Sequence, residues 1–322
     1  MNMNPLRGLD TTWQILRSIR PRQWLKNLVL GAPILFSGQL FDEKAGGSVI
    51  IAFFVFCLAS SAAYLFNDVV DAPRDRAHPF KRLRPVASGK LHPYTAVICS
   101  LLLTLFSLYV SITYLNKFFL LIVVLFLILQ MFYSLVLRNL IIIDSLTVAV
   151  AFILRVFAGS FATETSISSW LILATIGISL LLAFGKRRGE RTLLAAQALQ
   201  PQTTGTPTRE TLTHYPDTLL DSMISMSASF VIISYALFSF QISPKIQPKS
   251  LLWLLPPTLT APKWMMLTIP FVIYGVARYL YVIYEKKEGE SPERVLLSDL
   301  PLLIAVVLWT VVTISVIYFI GS

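Results

Sequence analysis

Long apolar runs recur along the chain, and shorter polar segments separate them. Most of these runs approach the ~20 residues that an α-helix needs to cross a bilayer. The pattern predicts nine membrane-spanning helices, at approximately 27–42, 48–66, 93–115, 118–137, 140–161, 168–185, 220–241, 264–284 and 300–320. The first run is the shortest of the nine. The sequence therefore predicts an all-α integral membrane protein, with residues 1–322 forming a single transmembrane domain.

Composition supports the same class. Of 322 residues, 55% are hydrophobic and only 14% are charged, whereas a soluble domain carries ~25% charged residues. The two cysteines, Cys57 and Cys99, both lie inside apolar runs. They form neither a disulfide framework nor a metal-binding spacing. The composition therefore excludes a water-soluble domain and leaves the polar loops to carry any chemistry.

The distribution of Lys and Arg predicts the orientation. With the N-terminus inside, the inner segments hold 20 of these residues and the outer loops hold 5. This asymmetry is typical of a protein whose basic loops face the cytoplasm. The sequence thus predicts a multi-pass protein of the cell (inner) membrane, with cytoplasmic segments at 1–26, 67–92 and 186–219. The placement also accounts for the net charge of +10 without a nucleic-acid partner.

Three carboxylates follow the second apolar run. At ~100° per helical residue, Asp68, Asp71 and Asp75 fall within a ~60° arc of one helix face. Such carboxylates repel one another, and Mg²⁺ takes carboxylate oxygens together with substrate phosphates. Pro73 removes one backbone donor and is expected to end or bend the helix, so the shared face applies best to Asp68 and Asp71. A solvated loop of mixed charge is the alternative.

Basic residues lie near this acidic stretch. Lys81, Arg82 and Arg84 follow it directly and suit a di- or polyphosphate. Lys26 stands beside Trp24 where the chain meets the membrane, as a phosphate ligand or as part of an ordinary interfacial belt.

A second charged segment follows the sixth predicted span and contains Lys186, Arg187 and Glu190. The alternative interpretation of this segment is a stop-transfer cluster, in which the basic residues only end a membrane span. Arg155 lies inside the fifth predicted span, where an ionised group costs ~2.5–3.5 kcal/mol, so it is a functional candidate by default. A structural arginine bound to carbonyl groups is the alternative there.

At this point the residues resemble a known family. The stretch Asn67-Asp68-x-x-Asp71-x-x-x-Asp75 is similar to the first aspartate-rich motif of the UbiA superfamily of intramembrane prenyltransferases. Further stretches resemble its branch of decaprenyl-phosphate phosphoribosyltransferases: Arg20-Pro-Arg-Gln-Trp-x-Lys-Asn27, Asp75-Arg-x-His-Pro-x-Lys-Arg-x-Arg-Pro85, Gly185-Lys-Arg-x-x-Glu190 and Ser291-Pro-x-x-Val-Leu-Leu-x-Asp-x-Pro301. The resemblance extends over nearly the whole chain.

The resemblance implies a nine-helix bundle around a central cavity that opens to the cytoplasm and to lipid. It implies transfer of 5-phosphoribose from phosphoribosyl pyrophosphate to a polyprenyl (decaprenyl-type) phosphate, with Mg²⁺ as cofactor. Superfamily members usually carry a second acidic motif after the sixth span. Here Lys186, Arg187 and Glu190 take that place, which favours a metal-free anion such as a lipid monophosphate.

The resulting hypothesis assigns roles to both charged segments. Mg²⁺ binds at Asp68, Asp71 and Asp75, with Asn67 orienting a ribose or phosphate oxygen. Donor phosphates are neutralised by Lys26, Lys81, Arg82 and Arg84. The lipid phosphate lies near Lys186, Arg187, Glu190 and Arg155. The alternatives are a UbiA-type enzyme moving a prenyl chain from a diphosphate to an aromatic acceptor, and a transporter of a phosphorylated metabolite or lipid.

Overall fold

The computed structural model of the chain describes residues 5–77, 81–198, 215–243, 263–286 and 292–320. These residues form helices joined by short connections. The α-helices are α1 (Pro5–Ser18), α2 (Ala32–Phe36), α3 (Glu43–Arg76), α4 (Pro93–Tyr114), α5 (Lys117–Leu135), α6 (Ile143–Thr163), α7 (Ser169–Ala198), α8 (Asp217–Ile242), α9 (Ile269–Tyr281), α10 (Pro292–Ser298) and α11 (Leu300–Ser315). The 3₁₀ helices are Pro21–Gly31, Lys81–Leu83, Leu137–Asn139 and Trp264–Thr268, and Val282–Lys286 and Val316–Ile320 are π-helical.

Eight helices in the described part of the chain are long and apolar enough to cross a membrane. The all-α membrane fold is therefore confirmed, but the count of nine spans is not. The predicted first span, 27–42, is built instead from the 3₁₀ helix Pro21–Gly31 and the five-residue α2. Pro21 and Pro33 stand at the starts of these two helices, and proline lacks the N–H that an uninterrupted α-helix would need there.

Two of the predicted loops begin as helix. α3 continues to Arg76 with Pro73 inside it, so all three aspartates share one helix. α7 likewise continues to Ala198, well beyond the predicted boundary at residue 186. The remainder of the second predicted loop, residues 199–214, lies outside the described residues.

Apolar side chains fill the bundle in two main clusters. Phe56, Phe119 and Phe126 pack between α3, α5 and α6. Leu181 and Leu220 belong to a second cluster, which joins α7, α8 and α9. Large apolar side chains on the outside of the bundle remain exposed, as lipid-facing positions require.

The N-terminal 3₁₀ segment (Pro21–Gly31) packs directly on the bundle. Residues three apart lie on the same side of a 3₁₀ helix, and here Trp24, Asn27 and Leu30 form the inner side. Trp24 donates to Ser61 Oγ of α3 over 3.2 Å, while Asn27 and Leu30 are fully buried. Gly159 of α6 permits this approach, because a Cβ there would overlap the carbonyl group of Leu30.

The polar residues of the bundle collect at one end. The end of α3, the connection before α6, the second half of α7 and the residues just before α8 meet there through direct contacts. These are the chain segments that the Lys and Arg distribution predicts to lie on one side of the membrane. This end contains the candidate site.

Candidate active site

The acidic face of α3 consists of Asp68, Asp71 and Asp75. Asp68 and Asp75 are nearly buried, although both lie close to the end of the helix. Arg84 bridges these two carboxylates, at 2.6 Å from Asp75 Oδ2 and 3.4 Å from Asp68 Oδ1. Arg20 forms a second ion pair with Asp68. The structure therefore places Arg84 and Arg20 at the acidic face, while the predicted phosphate-binding role of Arg84 stays a prediction.

Asp71 has separate partners. Arg138, from the short connection between α5 and α6, forms an ion pair with it and donates to Asn67 Oδ1 over 3.2 Å. Asn67 donates to Asp71 Oδ2 over 2.9 Å. Sequence reasoning used Arg138 only to assign orientation. Its only signal was that it is a lone cation in a short inner loop, which does not reveal a contact with a residue 67 positions away.

The side chains of this face are of the kinds that bind a magnesium ion, but they are not arranged around a single point. Carboxylate and amide oxygens are ligands that Mg²⁺ prefers, and Asn67, Asp68, Asp71 and Asp75 supply them from two turns of helix. Among the residues that the structure describes, no three His, Cys, Asp or Glu side chains converge closely enough to hold a metal ion. Arginines hold the carboxylates as they stand, so cation binding requires exchange of partners.

Arg20 occupies an unusual backbone position. It caps the N-terminal 3₁₀ segment with φ 53° and ψ 64°, the left-handed region that a non-glycine residue seldom adopts. Its guanidinium lies 5.3 Å from the centre of the Tyr64 ring, next to Asp68. Strained backbone of this kind concentrates at functional sites. The conformation turns the Arg20 side chain toward the acidic face.

Arg20, Gln23 and Lys26 are spaced by three and form the polar ridge of the 3₁₀ segment. Arg20 reaches Asp68, whereas Gln23 and Lys26 reach Glu293 at the start of α10. Lys26 Nζ lies 3.6 Å from Glu293 Oε2 and also donates to Gln23. Lys26 was predicted to neutralise donor phosphates beside the aspartates, but the structure places it at Glu293.

Glu293 was not among the predicted site residues, although it lies in a stretch that supports the family resemblance. Its side chain is nine-tenths buried. Burial works against its ionisation, but the charge of Lys26, a backbone N–H, the charge of Lys186 and the Gln23 hydrogen bond hold the pKa of Glu293 below its usual value. The charges of Lys26 and Lys186, from opposite parts of the chain, therefore both act on one carboxylate.

Arg187 belongs to a buried network. Its guanidinium contacts Asp144 Oδ2 and Glu190 Oε2, each at 2.6 Å, and Tyr133 Oη at 3.3 Å. Asp144 also accepts from Tyr215 Oη over 2.8 Å, and burial raises the pKa of Tyr215 to about 12, which keeps that hydroxyl protonated. Arg187 and Glu190 are thus engaged with each other and with α6. Their substrate-binding roles stay predictions.

Ile142, just before α6, has φ 68°, which is rare for a β-branched residue. The Tyr215 hydroxyl accepts a hydrogen bond from the Ile142 N–H. The same hydroxyl therefore holds both this turn and Asp144. The turn fixes the connection that carries Arg138.

Arg155 lies deep in the bundle, apart from the aspartates. It donates to Asn27 Oδ1 and to the Ala151 carbonyl, each over 2.8 Å, and lies over the Phe126 ring at 4.7 Å. These contacts match the structural alternative for this residue. They place it behind the 3₁₀ segment, on the side opposite to the polar ridge.

The remaining predicted cations lie at the edge of the site. Lys81 is close enough to Asp75 for its charge to act on that carboxylate. Arg82 stands in the same short 3₁₀ helix and is exposed. Their phosphate-binding roles stay predictions.

The comparisons with known proteins agree with one another. The model of the UbiA prenyltransferase family matches residues 29–186. The decaprenyl-phosphate phosphoribosyltransferase of Corynebacterium glutamicum is 32% identical over 307 residues, covering 94% of this chain and 86% of that protein. The protein of the same name from Mycolicibacterium smegmatis is 33% identical over 312 residues, covering 95% and 92%.

A solved structure shares the fold. It is a UbiA homolog from Archaeoglobus fulgidus bound to GPP and Mg²⁺, with a TM-score of 0.66 over 94% of this chain and 99% of that chain, at 17% identity. The fold, the polar end of the bundle and these relatives define a membrane-embedded transferase. The chain belongs to the UbiA prenyltransferase family.

Proposed function

We propose that the protein transfers 5-phosphoribose from phosphoribosyl pyrophosphate to a polyprenyl phosphate and releases pyrophosphate. The relatives that match nearly the whole chain carry the corresponding name. The observation that carries the proposal is the polar ridge, in which Arg20 contacts Asp68 and Lys26 contacts Glu293. At ~2 Å per residue in a 3₁₀ helix, its two ends are ~12 Å apart. Two sites for anions therefore lie within reach of one reaction.

The acidic face and its arginines form the donor site in this proposal. Asp68, Asp71 and Asp75 would hold Mg²⁺, which supplies charge neutralisation to the departing pyrophosphate. Arg84 and Arg138, released from the carboxylates, donate to phosphate oxygens, for which the planar guanidinium is well shaped. Each arginine exchanges a carboxylate for a phosphate and so keeps a charged partner throughout.

The acceptor lies on the other side of the ridge, with its head near Lys186 and its chain among the helices. A phosphate oxygen forms a bond to the anomeric carbon of the ribose, and the bond from that carbon to the pyrophosphate oxygen breaks with its electron pair. The nucleophile is already an anion, so no strong base is required. The residues contribute positioning and electrostatic stabilisation of an oxocarbenium-like state.

We further propose that this end of the bundle faces the cytoplasm. The Lys and Arg asymmetry supports that orientation, since basic loops are retained on the inner side. A soluble, highly charged donor then enters from water, and the lipid acceptor enters from the bilayer.

Purified protein tests the reaction directly. Turnover is measured with Mg²⁺, phosphoribosyl pyrophosphate and polyprenyl phosphate, with and without EDTA, following lipid-linked ribose phosphate and pyrophosphate release. We expect Asp71→Asn to lower kcat by ~10²-fold or more, whereas Asp10→Asn, the same change at an exposed position on α1, leaves it unchanged. Full turnover by Asp71→Asn would remove the metal assignment.

A parallel reaction separates the competing function. It supplies a prenyl diphosphate and an aromatic acid in place of the two substrates. In a diphosphate-dependent enzyme, a second set of buried acids would be expected near α7. Asp217 and Asp221 of α8 pair with Arg191 and Arg188 at 2.7 Å and 2.9 Å, but their side chains are much more exposed than those of the α3 acids. Product in this second reaction alone would establish prenyl transfer and overturn the proposal. The absence of product in both reactions would favour the transporter alternative.

A further inference from the structure

The Glu293 cluster consists of Glu293, Gln23, Lys26 and Lys186. Its four residues come from three elements: Gln23 and Lys26 from the 3₁₀ segment, Lys186 from the second half of α7 and Glu293 from the start of α10. Gln23 donates to Glu293 Oε1, and the ammonium of Lys26 lies 3.6 Å from Oε2. The cluster contains two cations and one carboxylate, which leaves one positive charge in a largely buried setting.

Two polar atoms beside this cluster are buried without a hydrogen-bond partner among the described residues. They are Glu293 Oε2 and the hydroxyl oxygen of Tyr279 on α9. The Tyr279 ring is almost fully buried and lies close enough to Glu293 to feel its charge. A buried polar group without a partner costs ~1–3 kcal/mol. A buried hydroxyl without a partner beside the Glu293 cluster is a donor available to an anionic ligand that binds there.

Gly185 allows α7 to approach that hydroxyl closely. A Cβ at this position would lie 2.7 Å from Tyr279 Oη, closer than real contacts permit. Gly185 directly precedes Lys186, so this close approach of α7 to α9 brings the backbone that carries the lysine next to the hydroxyl. The small residue is therefore required where the cluster meets the bundle interior.

We propose that Lys26, Lys186 and Tyr279 bind the phosphate of the lipid acceptor, and that Glu293 is the positioning residue that holds the two lysines. The proposal rests on the function proposed above and assigns the acceptor site within it. The Tyr279 hydroxyl donates to a phosphate oxygen, and the two ammonium groups neutralise its charge. Lys26 thus serves the acceptor rather than the donor.

Charge explains why a carboxylate belongs in an anion site. Without Glu293, two ammonium groups would repel each other and separate by rotation of their flexible chains. With it, both point to one place and the net charge stays at one positive unit, which matches a phosphomonoester better than a diphosphate. Arg187 does not take this role, because its guanidinium is almost fully buried between two carboxylates, Asp144 and Glu190.

Direct binding tests the assignment without depending on turnover. Isothermal titration of the purified protein measures the Kd of farnesyl phosphate, and separately that of phosphoribosyl pyrophosphate. We expect Glu293→Gln to weaken farnesyl phosphate binding by ~10-fold or more, with Glu293→Asp intermediate. Tyr279→Phe keeps the ring and is expected to weaken it ~5-fold by loss of one hydrogen bond. Donor affinity should stay within about twofold of wild type in all three.

Two matched controls carry the same chemical changes at exposed positions nearby, Glu285→Gln and Tyr274→Phe. Both are expected to bind like wild type. If Glu293→Gln binds farnesyl phosphate equally well or better, the carboxylate does not position the lysines, and the proposal fails. If donor affinity falls instead, the cluster belongs to the donor site, and the proposal also fails.

Turnover of the wild-type protein separates this inference from the function on which it rests. Weakened lipid-phosphate binding in the variants, together with wild-type transfer of ribose phosphate, supports both. Weakened binding without any transfer by the wild type supports the phosphate site and overturns the proposed reaction.

Discussion

Replacing Gly159 by alanine should displace the N-terminal 3₁₀ segment from α6. A Cβ at residue 159 would overlap the carbonyl oxygen, carbonyl carbon and Cα of Leu30, which are backbone atoms and cannot rotate away. Restoring an ordinary contact of ~3.5 Å requires the segment to move by ~1 Å or more. The polar ridge would move with it, because Arg20, Gln23 and Lys26 are fixed to the same backbone.

Two opposing contributions set the expected change in stability. Alanine favours a helix interior by ~1 kcal/mol over glycine. Overpacking of a filled interior costs ~1–3 kcal/mol. We therefore expect Gly159→Ala to be destabilising by up to ~2 kcal/mol, and kcat to fall by as much as ~10²-fold, as misplacement of ~1 Å can produce.

The matched control is Gly47→Ala in α3, where an added Cβ has nothing within 4 Å. It should be neutral or stabilising by up to ~1 kcal/mol and should leave kcat unchanged. The measurements are thermal unfolding in detergent and turnover of both variants beside wild type. Equal unfolding temperatures and full turnover in Gly159→Ala would refute the close approach and the role given to the ridge.

Three further outcomes are expected. Arg155→Met leaves Asn27 Oδ1 and the Ala151 carbonyl without their donor, so it should lower the unfolding temperature. Farnesyl phosphate binding should stay unchanged. Loss of that binding would show that Arg155 belongs to the acceptor site, as predicted from the sequence. Tyr215→Phe should cost ~1–3 kcal/mol of unfolding free energy, because Asp144 loses a buried donor; an unchanged unfolding temperature would contradict the Tyr215 contact. Because the folded pKa of Glu293 lies below its usual ~4.3, its stabilisation is complete above that pH and is lost as pH falls further. The unfolding temperature of wild type minus that of Glu293→Gln should therefore shrink below about pH 4; a difference that grows there would have the wrong sign.

The helices and the acidic face were predictable because their signals are local. Apolar length fixes a span, and a spacing of three or four residues fixes a face, so Asp68, Asp71 and Asp75 needed no tertiary information. The first predicted span was different. Its apolar composition resembles that of a spanning helix, but the prolines at 21 and 33 interrupt it, and one side packs on α3 and α6.

Arg20, Arg138 and Glu293 were missed as site residues for the opposite reason. Their partners lie 48, 67 and 270 residues away, and no pattern in one sequence specifies such pairs. The spacing of Arg20, Gln23 and Lys26 was visible, but it carries meaning only once the segment is known to be a 3₁₀ helix. Arg187 was predicted as a site residue from its basic neighbours, but those neighbours did not reveal that Asp144 would bind its guanidinium.

The period of the N-terminal 3₁₀ segment also limits how its length can change. One inserted or deleted residue between Arg20 and Lys26 would rotate everything downstream by ~120°. Lys26 would then swing away from Glu293, while Leu30 would lose its place against Gly159. A substitution in this segment affects the contacts of one side chain, whereas a single added residue would disrupt the alignment of both anion sites together.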